Sequence, residues 1–373
     1  MALGEKLREL LQRVNPHDIV STRFHSRDFN TSRAEYISIR IRTLALIFAV
    51  LAPLWIPIDY LVLEDSLFWK VVALRIAFSL SLFGLSRWGT NCNHLPAAMA
   101  RIALFILIPG LFFLTSHLLF RDSGADHAVL LGYAFLPLLM MALLTIVPLT
   151  LLEGIFFATL LMVVFVVTKL LLGTLLTLPA LADLWLLALL ALVALWVQMT
   201  QLHMLMRLYR EATRDALTGL VNRRVLSTKL EQEIVQHDNA IALLLFDLDL
   251  FKRINDTYGH HTGDNVLKVF AKILNEHCTG SCIAGRYGGE EFMAILPGGD
   301  REQARAIAER IRAACHEYTI DSAEDEPREV RFTTSIGVAT RRPSESADEM
   351  LNRVDVGLYQ AKSGGRDMVV VAD

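Results

Sequence analysis

Phe246-Asp247-Leu248-Asp249, followed about forty residues later by Gly288-Gly289-Glu290-Glu291-Phe292, decides the reading of the C-terminal half of this chain. The apolar run over 241–246 predicts a buried strand, with Asp247 held rigidly at its end. Strand side chains alternate, so Asp249 is expected on the same face as Asp247. Two more strands are expected over 281–287 and 292–296. The glycines that join them permit φ > 0 and close approach of a ligand to the backbone. In extended backbone Glu290 and Glu291 point to opposite faces, so at least one faces Asp247. Carboxylates gathered from two strand ends suit Mg²⁺ (or Mn²⁺), which takes hard oxygen ligands together with substrate phosphates. A basic segment over 362–366 would hold those phosphates. The bland alternative is a solvated acidic hairpin. An isolated Glu-Glu would favour it, but Asp247 and the two glycines count against it.

The surrounding pattern is that of an α/β sandwich with a partly antiparallel sheet. Helices are expected over 225–236, 264–277, 301–317 and 346–363, and further strands over 332–339 and 369–371. Phe251-Lys252 follows the acidic strand end, where backbone N–H groups can cradle phosphate and Lys252 adds charge. Asn255 and Asp264 suit a purine edge. A carboxylate accepts from guanine N1–H and its 2-amino group, which adenine cannot reproduce, so Asp264 favours GTP over ATP. The plain alternative for Asp264 is an N-cap of the helix expected to begin there. Gly259 and Gly263 are expected to bracket His260 and His261 in a tight loop. His260 is then either a substrate contact or a packed loop histidine.

The chain has 373 residues, enough for two or three domains. Its hydrophobic content of 53% and mean hydropathy of +0.41 exceed those of an ordinary soluble protein. The excess lies in residues 44–200, and 201–373 has the mixed charge of a soluble α/β domain. A net charge of −3 gives no support to a nucleic-acid partner. The four cysteines, Cys92, Cys278, Cys282 and Cys315, lack a second pair at metal-site spacing and read as reduced thiols of a cytosolic domain. About forty mostly polar residues come first, so no cleavable signal peptide is expected.

A membrane span needs about twenty mostly apolar residues. Six candidates stand at 44–63, 67–86, 102–120, 128–144, 148–167 and 181–199, with a very tight join at 145–147; five or seven are the alternative counts. Lys6, Arg8, Arg13, Arg23, Arg27, Arg33, Arg40 and Arg42 place the N-terminal segment in the cytoplasm by the Lys/Arg bias. Arg87 and Arg101 mark the second connection as cytoplasmic. Glu64 and Asp65, then Asp122 and Asp126 beside Arg121, mark the outer ones. Six spans return the chain to the cytoplasm at Arg207 and Arg210. The short outer connections leave no room for a folded external sensor. Asp59, Lys70, Arg75, His117 and Glu153 lie in or beside spans. They either snorkel to interfaces or mark a functional site, with Glu153 and Arg75 the first to mutate. Residues 200–214 continue the last span as a helix, with Leu202, Leu205, Tyr209 and Ala212 at a/d spacing. Two heptads fit a short dimeric coiled coil or an ordinary amphipathic helix equally.

Residues 215–373 resemble a GGDEF domain, the catalytic unit of diguanylate cyclases. The resemblance rests on Asp215-Ala-Leu-Thr-Gly-Leu-Val-Asn-Arg-Arg224, Phe246-Asp-Leu-Asp-Leu-Phe-Lys-Arg-Ile-Asn-Asp-Thr-Tyr-Gly-His260, Gly263-Asp264, and Arg286-Tyr-Gly-Gly-Glu-Glu-Phe292. Ser335-Ile-Gly-Val-Ala339 and Asp355-Val-Gly-Leu-Tyr-Gln-Ala-Lys-Ser-Gly-Gly-Arg366 complete it. It implies a palm-like nucleotidyl cyclase fold and condensation of two GTP to cyclic di-GMP with release of two pyrophosphates. It implies that Asp247, the carbonyl of Leu248, Glu290 and Glu291 bind metal. Glu290, Glu291 and Lys252 would form the catalytic group, with Glu290 as base on the 3′-hydroxyl. Asn255 and Asp264 would hold guanine, His260 would lie near the substrate, and Lys362 and Arg366 would contact phosphates. The active species would be a homodimer, each domain presenting one GTP. Two departures stand out. The family's R-x-x-D product-inhibition motif is replaced by Thr279-Gly280-Ser281-Cys282, so no tight inhibition is expected there. Asp367 replaces the common Asn after Arg366.

The expected organisation is a cytoplasmic segment (1–43), a six-span membrane domain (44–199), a connecting helix (200–214) and the GGDEF domain (215–373). Such a protein would be multi-pass in the bacterial inner membrane, with the catalytic domain in the cytoplasm. A GGDEF domain that binds GTP or a partner without catalysis is the main alternative. A mixed-purine cyclase is disfavoured by Asp264, and a transporter by the lack of a visible inverted repeat.

Overall fold

In the computed structural model, residues 16–89, 94–121, 133–236, 240–321 and 329–372 are described. The chain divides into two units, Met1–Leu208 and Tyr209–Asp373.

The N-terminal unit is helical. Helix α1 (Arg27–Leu51) starts at Ser26, whose hydroxyl accepts from Phe29 N–H at 3.3 Å, and Ile56–Val62 prolongs it. Then come α2 (Asp65–Arg87), α3 (Leu95–Phe120), α4 (Leu136–Leu144), α5 (Leu151–Leu171) and α6 (Leu178–Thr213). Five stretches among the described residues are long and apolar enough to cross a membrane: Arg27–Val62, α2, α3, α5 and α6. The span expected over 128–144 is represented by the nine residues of α4. Residues 128–132 lie outside the described residues, as do Lys6, Arg8, Arg13, Cys92, Asp122 and Asp126.

The polar segment expected up to residue 43 is not separate from the bundle. Helix α1 begins at Arg27, and Ala34, Ile37 and Ile41 join the same apolar core as Phe105, Phe113 and Phe165. Arg33 on this helix is fully buried. Its guanidinium pairs with Glu153, and its Nε donates to the Pro148 carbonyl at 3.0 Å. Glu153 also closes the capping box of α5, accepting from Thr150 N–H at 2.9 Å. Arg75 is likewise internal. It donates to Asp59 at 2.6 and 3.1 Å and to the Tyr133 hydroxyl at 2.5 Å, while Tyr133 donates to Asp59 at 2.7 Å. Snorkelling therefore fails for Asp59, Arg75 and Glu153: a charge withdrawn from water must be paired and hydrogen-bonded, and each of these is. Lys70 is exposed. His117 is buried, its ring 4.3 Å from that of Phe113. Helix α6 runs from the last expected span into the connector without a break. Leu202 and Met206 are buried within the single chain, Leu205 and Tyr209 half-buried, and Ala212 exposed.

The C-terminal unit is a six-stranded mixed sheet in the order β1-β3-β4-β2-β7-β8. Its strands are β1 (Val221–Asn222), β2 (Ile241–Leu248), β3 (Ile283–Arg286), β4 (Glu291–Pro297), β7 (Thr334–Thr340) and β8 (Val369–Val371). A separate hairpin joins β5 (Ile320–Asp321) to β6 (Glu329–Val330). Central β2 runs antiparallel to β4 and β7 and is buried along its whole length, as its continuous apolar run demands. Alternation sorts its residues between two cores. Ala242, Leu244, Phe246 and Leu248 pack with helices α8 (Phe251–His277) and α9 (Arg301–Glu317). Ile241, Leu243 and Leu245 pack with α7 (Arg223–Gln236) and α10 (Ala347–Ser363). Asp247 therefore belongs to the α10 face.

The helix expected from 264 begins at Phe251 and carries one break, at Gly259 (φ 80°, ψ 158°). His260 and His261 follow the break as helical residues, not as a tight loop. Asp264 lies within the helix and is not its N-cap.

Candidate active site

The register of β2 and β4 builds the acidic end of the sheet. Glu291 stands opposite Asp247 in the ladder, so both side chains leave on the α10 face. Glu290 lies in the preceding turn, and its carbonyl accepts from Leu248 N–H at 3.3 Å. The turn is tight: Tyr287 and Gly288 N–H both donate to the Glu291 carbonyl, at 2.8 and 3.0 Å. A Cβ on Gly288 would meet the Glu291 side chain, so this glycine makes room for that carboxylate. Leu248 points into the core, leaving only its carbonyl as a candidate ligand.

Asp247 is buried, and Lys362 at the end of α10 sets its Nζ 2.7 Å from the carboxylate. Burial pushes the Asp247 carboxyl above the ordinary range. Lys362 pulls it back, and the charges of Glu291 and Asp249 push it up again. Glu290 is raised as well, first by burial, then by Asp247 and Glu291. Carboxylates that raise one another in this way favour a cation between them. Among the described residues no three acidic, His or Cys side chains converge into a finished metal cage. The oxygen atoms that could serve a divalent cation at this end of the sheet are the carboxylates of Asp247, Glu290 and Glu291 and the Leu248 carbonyl.

Immediately after β2, Leu250 turns left-handed (φ 55°), and α8 starts without a side-chain cap. Its first N–H groups are a ready anion cradle beside the carboxylates. Lys252 is exposed on this first turn, and Asn255 is half-buried with its amide against Gly263. Asp264 is the next residue and is exposed, as is His260. The Gly259 break thus brings Asn255 up to the Gly263-Asp264 turn of the helix.

Residues 212–368 match the family described as diguanylate cyclase, GGDEF domain. This stretch of the chain is a GGDEF domain. Over 170 residues it is 42% identical to diguanylate cyclase DgcM of Escherichia coli (strain K12), covering 44% of this chain and 40% of that protein. Over 165 residues it is 39% identical to response regulator PleD of Caulobacter vibrioides, covering 43% and 36%. The crystal structure of the GGDEF domain of DgcB from Caulobacter crescentus in complex with c-di-GMP is 34% identical, with a TM-score of 0.42, covering 43% of this chain and 94% of that one. The chain thus spans about two fifths of the length of the curated relatives it matches.

Within the GGDEF domain the predicted residues fall into three groups. Asp247, Glu290, Glu291 and Lys362 share one charged cluster. Asn255, Asp264 and His260 share α8, on either side of its break. Lys252 and Arg366 stand exposed on flanking turns, Arg366 with left-handed backbone (φ 67°). Asp249 is not an open metal ligand. The β2 strand ends at Leu248, so alternation no longer governs it. Its carboxylate accepts from Thr333 and Ser335 hydroxyls, both at 2.7 Å, and from Asp367 N–H at 3.0 Å. Asp367 is in turn held by Arg312 at 3.2 Å and His316 at 2.9 Å, which makes the departure at this position an anchor.

Two positioning residues stand in quoted motifs, but nothing in the sequence signalled that they pair. Arg286 donates to the Gly289 carbonyl at 3.2 and 2.6 Å and pairs with Asp215 at 3.1 Å. Asp215 also accepts from Thr218 N–H and hydroxyl, at 2.9 and 2.7 Å. Burial pushes the Asp215 carboxyl up, but the bonds from Thr218 and Arg286 win and hold it below the ordinary range. The opening signature and the glycine turn are thereby tied together.

Proposed function

We propose that the chain is a membrane-bound diguanylate cyclase that condenses two GTP into cyclic di-GMP with release of two pyrophosphates. The observation that carries this is the register placing Glu291 opposite Asp247, with Glu290 in the adjoining turn and an uncapped helix start alongside. Asp247, Glu290, Glu291 and the Leu248 carbonyl would hold a divalent cation, which when bound supplies charge neutralisation to the triphosphate. Glu290, whose burial and anionic neighbours make it more basic, takes the proton of the 3′-hydroxyl at its carboxylate. Glu291, fixed in the ladder, serves as the static ligand. N–H groups at the start of α8, with Lys252, Lys362 and Arg366, hold phosphates. Asn255 and Asp264 read guanine, with His260 at the rim. Each domain presents one GTP, so the working species is a homodimer.

The N-terminal unit anchors the chain in the bacterial inner membrane through six crossings, with both flanking cytoplasmic segments marked by arginines. It regulates the catalytic domain from there. Full-length protein in detergent, given GTP and Mg²⁺, is expected to form cyclic di-GMP on a chromatogram, and Glu290→Gln none. GTP binding and dimerisation without product from the wild type would favour the silent binding module instead.

A further inference from the structure

We propose that the N-terminal unit binds an anionic phospholipid where α1, α2 and α3 meet, with Arg87 on the headgroup phosphate and the acyl chains in two flanking grooves. The inference rests on the membrane reading above.

The internal charges of this unit have partners. Arg33 is matched by Glu153, and Arg75 by Asp59 and Tyr133. Arg101 donates to the carbonyls of Trp88 and Gly89, at 2.6 and 2.5 Å. Arg87, the last residue of α2, differs. It is exposed, and among the described residues it has no hydrogen-bond or ion-pair partner. Two surface grooves meet at it. One, of about 370 Å³, runs between α2 and α3 along Gly84, Trp88, Leu104 and Ile108. The other, of about 220 Å³, runs between α1 and α2 along Ile39, Leu46 and Phe83. Arg42 lines the second groove. Its Nε is spent on the Ser86 carbonyl at 2.9 Å, while its terminal nitrogens have no partner among the described residues.

Two apolar grooves converging on two arginines match a phosphodiester with two chains. The location agrees. Arg42, Arg87 and Arg101 lie on the side that the Lys/Arg bias assigns to the cytoplasm, whose leaflet carries anionic lipids, and basic pockets between spans there recruit their headgroups. A simpler role for Arg87 is to mark topology and to balance the helix C-terminus. That role needs the charge but not the grooves. Gly84 separates the two: a Cβ there meets nothing within 4 Å, so a larger side chain enters the groove without disturbing the fold.

The test uses the full-length chain extracted from membranes, with phosphatidylglycerol and phosphatidylcholine as probes in native mass spectrometry. Wild type is expected to retain phosphatidylglycerol in preference. Arg87→Gln should weaken retention roughly fivefold, the scale for one arginine at an anionic surface. Gly84→Leu should weaken it with every charge intact. Lys70→Gln, at the other end of α2, should leave it unchanged. Equal retention of the two lipids, wild-type retention by Gly84→Leu, or displacement of the lipid by inorganic phosphate would overturn the site. Carbonate washing of membranes keeps the two readings apart. A chain that washes off refutes the membrane reading itself, whereas one that stays but shows no lipid preference refutes only the lipid site.

Discussion

In the proposed mechanism Glu290 meets two demands that conflict. As a base it needs a raised pKa, and burial with Asp247 and Glu291 nearby provides it. The same raised pKa means that the folded state binds this proton more tightly than the unfolded chain does. At neutral pH the ionised group therefore costs stability, and the cost disappears as pH falls below the unfolded value near ~4.3. Glu290→Gln is expected to raise the thermal midpoint of the metal-free protein at pH 7 while abolishing product. The gap should close as pH approaches about 4, and should narrow at pH 7 on adding Mg²⁺, which offsets the repulsion in the wild type. A midpoint for the variant at or below wild type at pH 7 would contradict this. The carboxylate types and their neighbourhood were legible in the sequence, but which glutamate enters the ladder was not. The geometry of the 287–290 turn fixes that choice, and two adjacent acidic residues look alike until the register is known. Asp249 misled for a related reason: period-two alternation holds only while the strand lasts, and β2 stops one residue earlier.

At the scale of elements, α8 is the informative case. Helical periodicity is readable on both sides of Gly259, yet nothing in the local pattern states that the two pieces abut at one residue with φ 80° and ψ 158°. That conformation is essentially reserved for glycine. Gly259→Ala should cost about 1–3 kcal/mol in a denaturant melt. Because the break sets the Asn255 amide against Gly263, the residue before Asp264, the variant should also raise KM for GTP more than it lowers kcat. A lowered kcat at unchanged KM would detach the break from guanine binding. The sheet was more legible: a continuous apolar run forces a central strand, and a glycine pair between two short apolar runs forces a hairpin. The Arg286–Asp215 tie was not, because it joins residues 71 positions apart. The turn after α8 yields another expectation. Thr279, Gly280 (φ 72°), Ser281 and Cys282 offer neither cation nor carboxylate, so micromolar cyclic di-GMP should leave turnover unchanged. Strong inhibition there would show that another surface binds product.

Across the whole molecule, the buried ion pairs and helix α6 bear on the proposed regulation of the catalytic domain by the N-terminal unit. Removing one member of the Arg75–Asp59 pair leaves a buried charge without its counterpart, at a cost of about 3–5 kcal/mol, whereas an apolar pair of similar volume is tolerated. Asp59→Ala should therefore lower the melting midpoint in detergent sharply, and Asp59→Leu with Arg75→Met should restore most of it. The proposed dimerisation, if it runs through α6, is constrained by the same logic of burial. The seam legible in the sequence comprises Leu202, Leu205, Tyr209 and Ala212, but Leu202 is already buried within one chain, as is Met206 one turn on. A second α6 can meet only the later part of that seam without unpacking the first. Single cysteines should accordingly crosslink between copies at Leu205, Tyr209 and Ala212 and fail at Leu202. Crosslinking at none of the four would remove α6 from the dimer. Crosslinking strongest at Leu202 would mean that pairing pulls the helix out of its own bundle, and that competition between the two packings would itself be the switch.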